Sequence, residues 1–562
     1  MKSLSTSLLL LVAGSSLWAQ LLPVDSTWVG QTLKSMTLDE KIGQLFFPAS
    51  TSSGRTLEWI QKYNIGGIWF ARAEAKKIAE DLNAFQRASK YPILVTVDFE
   101  KGAGTYVDGA TDLPINMALG ASRDPNLVYQ AARLTAKEAR ALGVHLNYAP
   151  VLDVNNNPRN PVINTRSYGE DPKLVATLAT AAIKGYQENG LLATGKHFPG
   201  HGNTGTDTHA KIGVIASSPQ EFESVELYPY KEVLRKAKPS SIMSAHLWIQ
   251  SIDTDTIPAT LSKNVMTDLL RDRLHFDGLV FTDAMVMGGI TTRYPFGVAT
   301  VKALQAGCDI ILFPGDLEKG IDAVREAIRS GELTEQRIDE SVRRVLRAKT
   351  RVGLQRNRLT DVNKIPGVVG TAAHYQMAKK IAARCLTLAK DDARLIPVRA
   401  SRKVLVLTMG NKEGNSMMSR GLVTFPDEVR KLSPGSTELR LSDSMRTDEI
   451  EQALGLARQA DVVLVAAYVR IVLSSGTVDL PAAHAAFLQR LLKENPHLAL
   501  ISFGNPYIGA AVPGIPTYIC AYDNAKVLQE AAAEALFGKA HLTGKLPITI
   551  SETMKFGAGL RR

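Results

Sequence analysis

Eight short runs of apolar, largely β-branched residues recur along the chain, at 43–48, 66–70, 92–98, 144–149, 192–196, 240–246, 278–283 and 308–313. Between them, stretches such as 75–89, 126–142, 174–189, 221–236 and 262–274 repeat apolar residues every three or four positions, the period of helices that bury one face. Strands that alternate with helices pair in parallel, because each helix returns the chain to the edge it left. Eight such units predict an α/β fold with a closed (β/α)8 barrel of the TIM type, with room for one irregular strand. Active sites of this architecture sit at the carboxyl ends of the strands. Asp98, Lys196, His197, His246 and Asp283 stand at the ends of their runs. Taken singly each has a bland alternative, since a strand-terminal Asp often caps the next helix; five together predict a polar site at one mouth of the barrel.

Two further helical stretches, 317–331 and 334–353, complete a barrel expected over 22–354. Residues 355–371 are rich in polar residues, Pro and Gly and read as a linker. From 372 to 562, apolar runs at 403–409, 461–468, 498–503 and 516–522 alternate with helical stretches at 447–459 and 482–494. They predict a smaller α/β sandwich domain with a parallel sheet. A chain of 562 residues that is 45% hydrophobic and 22% charged has material for both cores.

The first nineteen residues differ from the rest. Lys2 precedes an apolar run at 8–13, and Leu17-Trp18-Ala19 leads into Gln20. This pattern predicts a secretory signal cut after Ala19 and an exported, periplasmic product. Cys308, Cys385 and Cys520 lie far from the cut and give neither a lipid anchor nor a disulfide framework. No later stretch is long and apolar enough to span a bilayer. The net charge of +11 is spread along the chain without a basic stripe, which argues against nucleic acid and at most favours weak attraction to anionic envelope polymers.

The densest chemistry lies at 196–209, KHFPGHGNTGTDTH, which holds three of the ten histidines. The stretch ends an apolar run, and Pro199, Gly200, Gly202 and Gly205 keep it from becoming a helix. Three readings compete. A metal site would use His197 and His201, but four-residue spacing aligns two imidazoles only on a helix. A second reading is a polar loop whose histidines satisfy buried backbone groups. In the third, Asp207 orients His209 and raises its proton affinity, forming an acid/base dyad.

KHFPGHG followed by Asp-x-His resembles the signature of glycoside hydrolase family 3, in its bacterial β-N-acetylglucosaminidase branch. The resemblance extends to APVLDVN at 149–155, NPVINTRSYGEDP at 160–172, GLVFTDAM at 278–285, and GNPY at 504–507 and TGKLP at 543–547 in the second domain. It implies a retaining, two-step covalent hydrolysis with Asp283 as nucleophile and His209, backed by Asp207, as proton donor. It further implies that Asp98, Arg166, Lys196 and His197 bind sugar hydroxyls and that Met243 and Ser244 border a pocket for an acetamido group. No cofactor or metal is implied. The expected substrates are small oligosaccharides, with GlcNAc released from the non-reducing end of peptidoglycan fragments (muropeptides) or chitin oligosaccharides. The alternatives are a β-glucosidase or β-xylosidase of the same family and a non-catalytic glycan-binding barrel. One departure stands out: family members follow the third-strand Asp with a Gln-Glu-Gly-Gly-Arg sequence, whereas this chain has DFEKGAGTY at 98–106. The missing arginine contact is either absent or replaced by Lys101.

Overall fold

The computed structural model describes residues 20–50, 52–410, 422–471 and 478–562. The expected secretory signal at 1–19 lies outside the described residues.

The barrel strands are β1 (46–50), β2 (Gly67–Phe70), β3 (Leu94–Val97), β4 (Leu146–Asn147), β5 (Leu192–Phe198), β6 (Ser241–Ser244), β7 (Leu279–Phe281) and β8 (Ile311–Leu312). Neighbours pair in parallel in chain order from β1 to β7. A Phe281–Ile310 bridge joins β7 to the approach of β8, and Phe46–Ile311 and Phe47–Leu312 pairs join β8 back to β1, closing the ring. Phe47, Tyr148 and Phe281 fill its interior edge to face, at centroid separations of 5.5 and 5.2 Å around Phe281. Helices Pro125–Leu142 and Pro172–Gln187 each begin with an Asp that caps the first turn and a Pro as first helical residue. That pairing satisfies an orphan N–H and wastes none.

Three boundaries differ from the sequence reading. The first run was expected to be extended from residue 43, but a capping box between Thr37 and Glu40 starts a helix at Leu38–Gly43, and the strand begins at Phe46. The fifth strand runs through Phe198, past the expected end at 196. The stretch expected as an α-helix at 262–274 is wound as a π-helix over Asn264–Arg273.

Residues 355–371, expected as a linker, are fastened to the barrel. Asn83 exchanges hydrogen bonds of 2.8 and 2.9 Å with the Thr360 backbone. Buried Glu138 accepts from Thr111, the Gly370 N–H and His374 Nδ1. The second domain contains β9 (Thr387–Asp391), β10 (Val404–Met409), β11 (Thr437–Arg440), β12 (Val462–Ala467), β13 (Leu498–Ser502) and β14 (Thr517–Cys520). Their order is β9-β14-β13-β12-β10-β11, with β9 antiparallel to β14 and the rest parallel. β10, β12 and β13 are buried along their whole length, as continuous apolar strands covered by helices must be. This is an α/β sandwich. It grips the barrel through Glu170, which accepts from the Thr549 N–H and hydroxyl at 2.7 Å each, and through Arg123, which donates to the Leu546 carbonyl at 2.7 Å. All three cysteines are buried and unbridged.

Candidate active site

The floor of the site is an ion network built from three strand ends. Lys196, near the end of β5, donates to Asp98 Oδ1 at 2.8 Å and to Glu100 Oε1 at 2.7 Å. Arg166, in the short 3-10 helix Asn164–Arg166 of the long segment after β4, grips Glu100 in a fork, Nε to Oε2 at 3.0 Å and Nη2 to Oε1 at 2.7 Å. Trp69 Nε1 donates to the other Asp98 oxygen at 3.1 Å. Burial alone would push the Glu100 carboxyl up, but Arg166 and Lys196 outweigh it and hold Glu100 well below the usual carboxylate range. The same carboxylates raise Lys196 and Arg166 against the opposing effect of burial. Glu100, Lys196 and Arg166 therefore stay charged, and planar bidentate pairing of Arg166 with Glu100 fixes their geometry.

Asp153 organises the next residues. Its Oδ2 accepts from His197 Nδ1 at 2.7 Å, while Oδ1 accepts the backbone N–H groups of His197 and His201 at 3.1 and 2.8 Å. With Nδ1 thus protonated, His197 turns Nε2 toward Arg166 Nη2, 3.4 Å away. The Lys196–His197 and Phe198–Pro199 peptide bonds are both cis. His201 packs edge to face on His197 at 5.7 Å, and its Nε2 meets the Thr208 hydroxyl at 2.9 Å. Burial, with a contribution from the charge of His197, lowers the His201 pKa to about 4. The segment from 192 to 198 is strand, so the two imidazoles are not helix neighbours. Among the described residues, no group of three or more His, Cys, Asp and Glu side chains is arranged to hold a metal ion.

Beyond Pro199 the chain loops out and returns as a short strand, Gly213–Ile215, paired with Leu247–Ile249 after β6. His209 rides on this loop. Its Nδ1 and its backbone N–H both donate to Asp207 Oδ1 at 2.9 Å, which leaves Nε2 available for chemistry. Asp207 is buried behind it, and His209 is a quarter exposed. The loop is tied to the turn after β7: the Gly288 N–H donates to the His209 carbonyl at 2.9 Å, and the Gly289 N–H to the Thr208 carbonyl at 3.1 Å. A Cβ on Gly288 would stand 2.2 Å from the Ala210 carbonyl oxygen, so only glycine permits the approach.

Asp283 is separated from the end of β7 by one residue, Thr282. The Ala284 N–H donates to its Oδ1 at 2.8 Å, and its own N–H meets the Ser244 hydroxyl at 3.3 Å. Burial raises its pKa, but the positive potential of His197 and His246 and the Ala284 N–H outweigh that, so the net shift is downward. Asp98, Glu100, Arg166, Lys196, His197, His209, Met243 and Asp283 all line one cavity of ≈ 220 Å³, whose remaining wall includes Tyr106, Val286, Met287 and Phe313. A larger cavity, ≈ 720 Å³, lies elsewhere on the barrel, away from these residues.

The eight residues singled out from sequence are thus brought together, seven in the cavity wall and Asp207 behind His209. Three other expectations are corrected. Lys101 does not replace the missing arginine, because its ammonium is buried in an ion pair with Asp523 of the second domain and is not part of the cavity wall. His246 sits under the site, held by Thr260 at 2.9 Å and donating to the Ala284 carbonyl at 3.1 Å. Ser244 is bonded to Thr260 and the Asp283 N–H and does not reach the cavity. Sequence reasoning missed Glu100 and Asp153. Asp153 lies inside a stretch that carries the family resemblance and Glu100 inside the one that departs from it, and the roles of both show only in partners that lie more than forty residues away.

A closed (β/α)8 barrel with a carboxylate-rich mouth, followed by an α/β sandwich, is an architecture suited to glycoside hydrolysis, which needs paired acidic and proton-donating groups across a cleft. Residues 37–348 match the Glycosyl hydrolase family 3 N terminal domain and residues 321–558 the Glycosyl hydrolase family 3 C-terminal domain. The chain belongs to glycoside hydrolase family 3 and is an enzyme of that family. It is 31% identical to a beta-N-acetylglucosaminidase/beta-glucosidase of Cellulomonas fimi, over 93% of this chain and 95% of the relative. Its structure superposes on a family 3 beta-N-acetylglucosaminidase from Paenibacillus sp. str. FPU-7 with a TM-score of 0.85 at 31% identity, covering 92% of this chain and 99% of that one. A beta-glucoside phosphorylase bound to 2FGlc superposes equally well, at 0.85 and 28% identity over 93% and 96% of the two chains.

Proposed function

We propose that the protein is an exported, retaining exo-β-N-acetylglucosaminidase that releases GlcNAc from the non-reducing end of muropeptides or chitin oligosaccharides. The observation that carries this reading is the Asp207–His209 pair, with Nδ1 2.9 Å from Oδ1, in a wall shared with Asp283. A β-glucosidase of the usual kind has no need of a carboxylate-backed imidazole there.

In the first step Asp283 attacks the anomeric carbon while His209 Nε2 gives its proton to the departing oxygen, leaving a glycosyl ester on Asp283. In the second, the neutral imidazole takes a proton from water, which attacks the same carbon and frees Asp283. Asp207 stabilises the imidazolium before the first step and fixes the tautomer after it. Asp98, Lys196, Arg166 and His197 supply acceptors and donors for sugar hydroxyls. Met243 borders the acetamido group.

The Cellulomonas fimi relative's name includes beta-glucosidase as well, which supports glucosides as secondary substrates. The similarity to a phosphorylase supports phosphate as an alternative acceptor in the second step, since a neutral imidazole repels an anion less than a carboxylate does. A panel of aryl β-glycosides tests the reading. The N-acetylglucosaminide is expected to turn over fastest, and faster turnover of the glucoside or xyloside would reverse it. Sugar 1-phosphate formed in phosphate buffer would identify phosphorolysis. Export is tested by the mature N-terminus, expected at Gln20 in protein recovered from the periplasm.

A further inference from the structure

The ≈ 720 Å³ cavity opens at the amino-terminal end of the barrel, where Leu192 begins β5, Ser240 precedes β6 and Leu279 begins β7. Catalytic groups occupy the other ends of these strands, so this cavity is separate from the site described above. Its inner surface is apolar, from Leu192, Leu234, Leu274, Phe276, Leu279 and Ala348. Seven Lys and Arg side chains but only one carboxylate, Asp277, share the lining.

Some of these cations are neutralised locally. Lys231 and Arg273 pair with Glu223, and Arg235 with Glu232 at 3.2 Å. Arg347 pairs with Asp277 at 2.8 Å and Arg344 with Asp309 at 3.2 Å. Two are not. Among the described residues neither Lys238 nor Arg351 has a carboxylate within ion-pair distance, and the only side-chain bond of Arg351 runs to the Ser240 hydroxyl at 3.3 Å. Burial, and then the charge of Arg347, lower the Arg351 pKa, as expected of a cation crowded by another. Like charges held together without counter-charge are destabilising, and in a concave, low-dielectric recess they focus a positive potential.

We propose that this cavity binds a soluble organic anion with an apolar body, its anionic group held by Arg351 and Lys238 and its body on the Leu192–Phe276–Leu279 floor. The volume is that of a pocket for a small organic molecule, and an apolar wall with a few polar anchors is how such pockets work. A guanidinium matches either a carboxylate or a phosphate.

The test uses the purified protein and three probes. 8-Anilino-1-naphthalenesulfonate carries both features, N-phenyl-1-naphthylamine only the apolar body and inorganic phosphate only the charge. The sulfonate is expected to saturate one site, to weaken with added salt, to outbind the uncharged amine and to be displaced by phosphate only at high concentration. Arg351→Gln and Lys238→Gln should each weaken it about tenfold, the size of a lost charge-assisted hydrogen bond. Unchanged turnover of an aryl glycoside shows that each variant is folded, and exposed Lys238 keeps the test open if Arg351→Gln does not fold. No saturable site, equal affinity for the uncharged amine, unchanged affinity in the folded variants, or displacement by free GlcNAc would each overturn the proposal.

Discussion

Lys101 Nζ lies 2.9 Å from Asp523 Oδ2, and both side chains are only 5% exposed although they belong to different domains. Lys101 directly follows Glu100, whose carboxylate aligns Arg166 and Lys196. Asp523→Asn leaves a buried ammonium without its counter-charge, a change that costs about 3–5 kcal/mol. The expected result is a lower thermal midpoint together with a KM for the aryl N-acetylglucosaminide that rises more than kcat falls. Replacing both partners, Lys101→Met with Asp523→Leu, should recover most of the stability. A single variant as stable and as tight-binding as the parent would show that the pair does not brace the sugar-binding floor.

Glu100 is expected to matter as much as the residues proposed to bind the sugar. Glu100→Gln keeps the shape but leaves Arg166 and Lys196 with one formal charge fewer between them. Kcat/KM should fall at least about a hundredfold, equivalent to about 2.7 kcal/mol. Steady-state kinetics on a protein shown to be folded by circular dichroism measure it; a loss below tenfold would mean that Asp98 alone orders the network.

Three substitutions separate the roles at the reacting bond. Asp283→Ala should abolish turnover of every substrate. His209→Ala should lose about 10²–10⁴-fold on substrates with poor leaving groups and much less on activated aryl glycosides, which depart without a proton. Asp207→Ala should follow His209→Ala. Equal losses on good and poor leaving groups in the His209 variant would remove the case for general acid catalysis.

Acid should destabilise the fold through His201. Its pKa is lowered to about 4 in the folded chain, while the unfolded chain takes up that proton near 6.5. Between those values the unfolded state binds more protons, so stability falls as pH drops from 6.5 to 4, by about 3 kcal/mol in all. Thermal midpoints measured across this window should fall more steeply for the parent than for His201→Asn. Asp283, by contrast, is shifted downward, so protonation of the proposed nucleophile is not expected to drive a decline in kcat/KM over most of this window.

Chelation is expected to leave activity unchanged, since Asp153 and Thr208 already engage His197 and His201. Activity lost with chelator and restored by zinc would return the histidine cluster to the metal reading.

The barrel was legible because its strands are short, apolar and evenly interrupted by amphipathic helices, a pattern that admits few architectures. Residue 43 was misplaced because an apolar run does not distinguish the last turn of a helix from the first residues of a strand, and the Thr37–Glu40 capping box decided it. That Asp283, His209 and Asp207 gather at one mouth of the barrel was legible from the family resemblance and from their position at strand ends or in a glycine-broken loop; the roles given to them remain those of the proposal. Glu100 and Asp153 were not, because a carboxylate that binds substrate and one that aligns its neighbours look alike until their partners are seen. Lys101 was misread for the same reason: its counter-ion lies 422 positions away.

The Gly288–His209 hydrogen bond has a consequence for inheritance. The backbone that presents Asp283 also carries the imidazole's loop, so the spacing between the two is set once, by the chain that follows β7. A side chain at 288 would collide with the Ala210 and His209 backbone and so displace the segment that carries the imidazole. If His209 is the proton donor, as proposed, its position is therefore coupled to the absence of a side chain at 288.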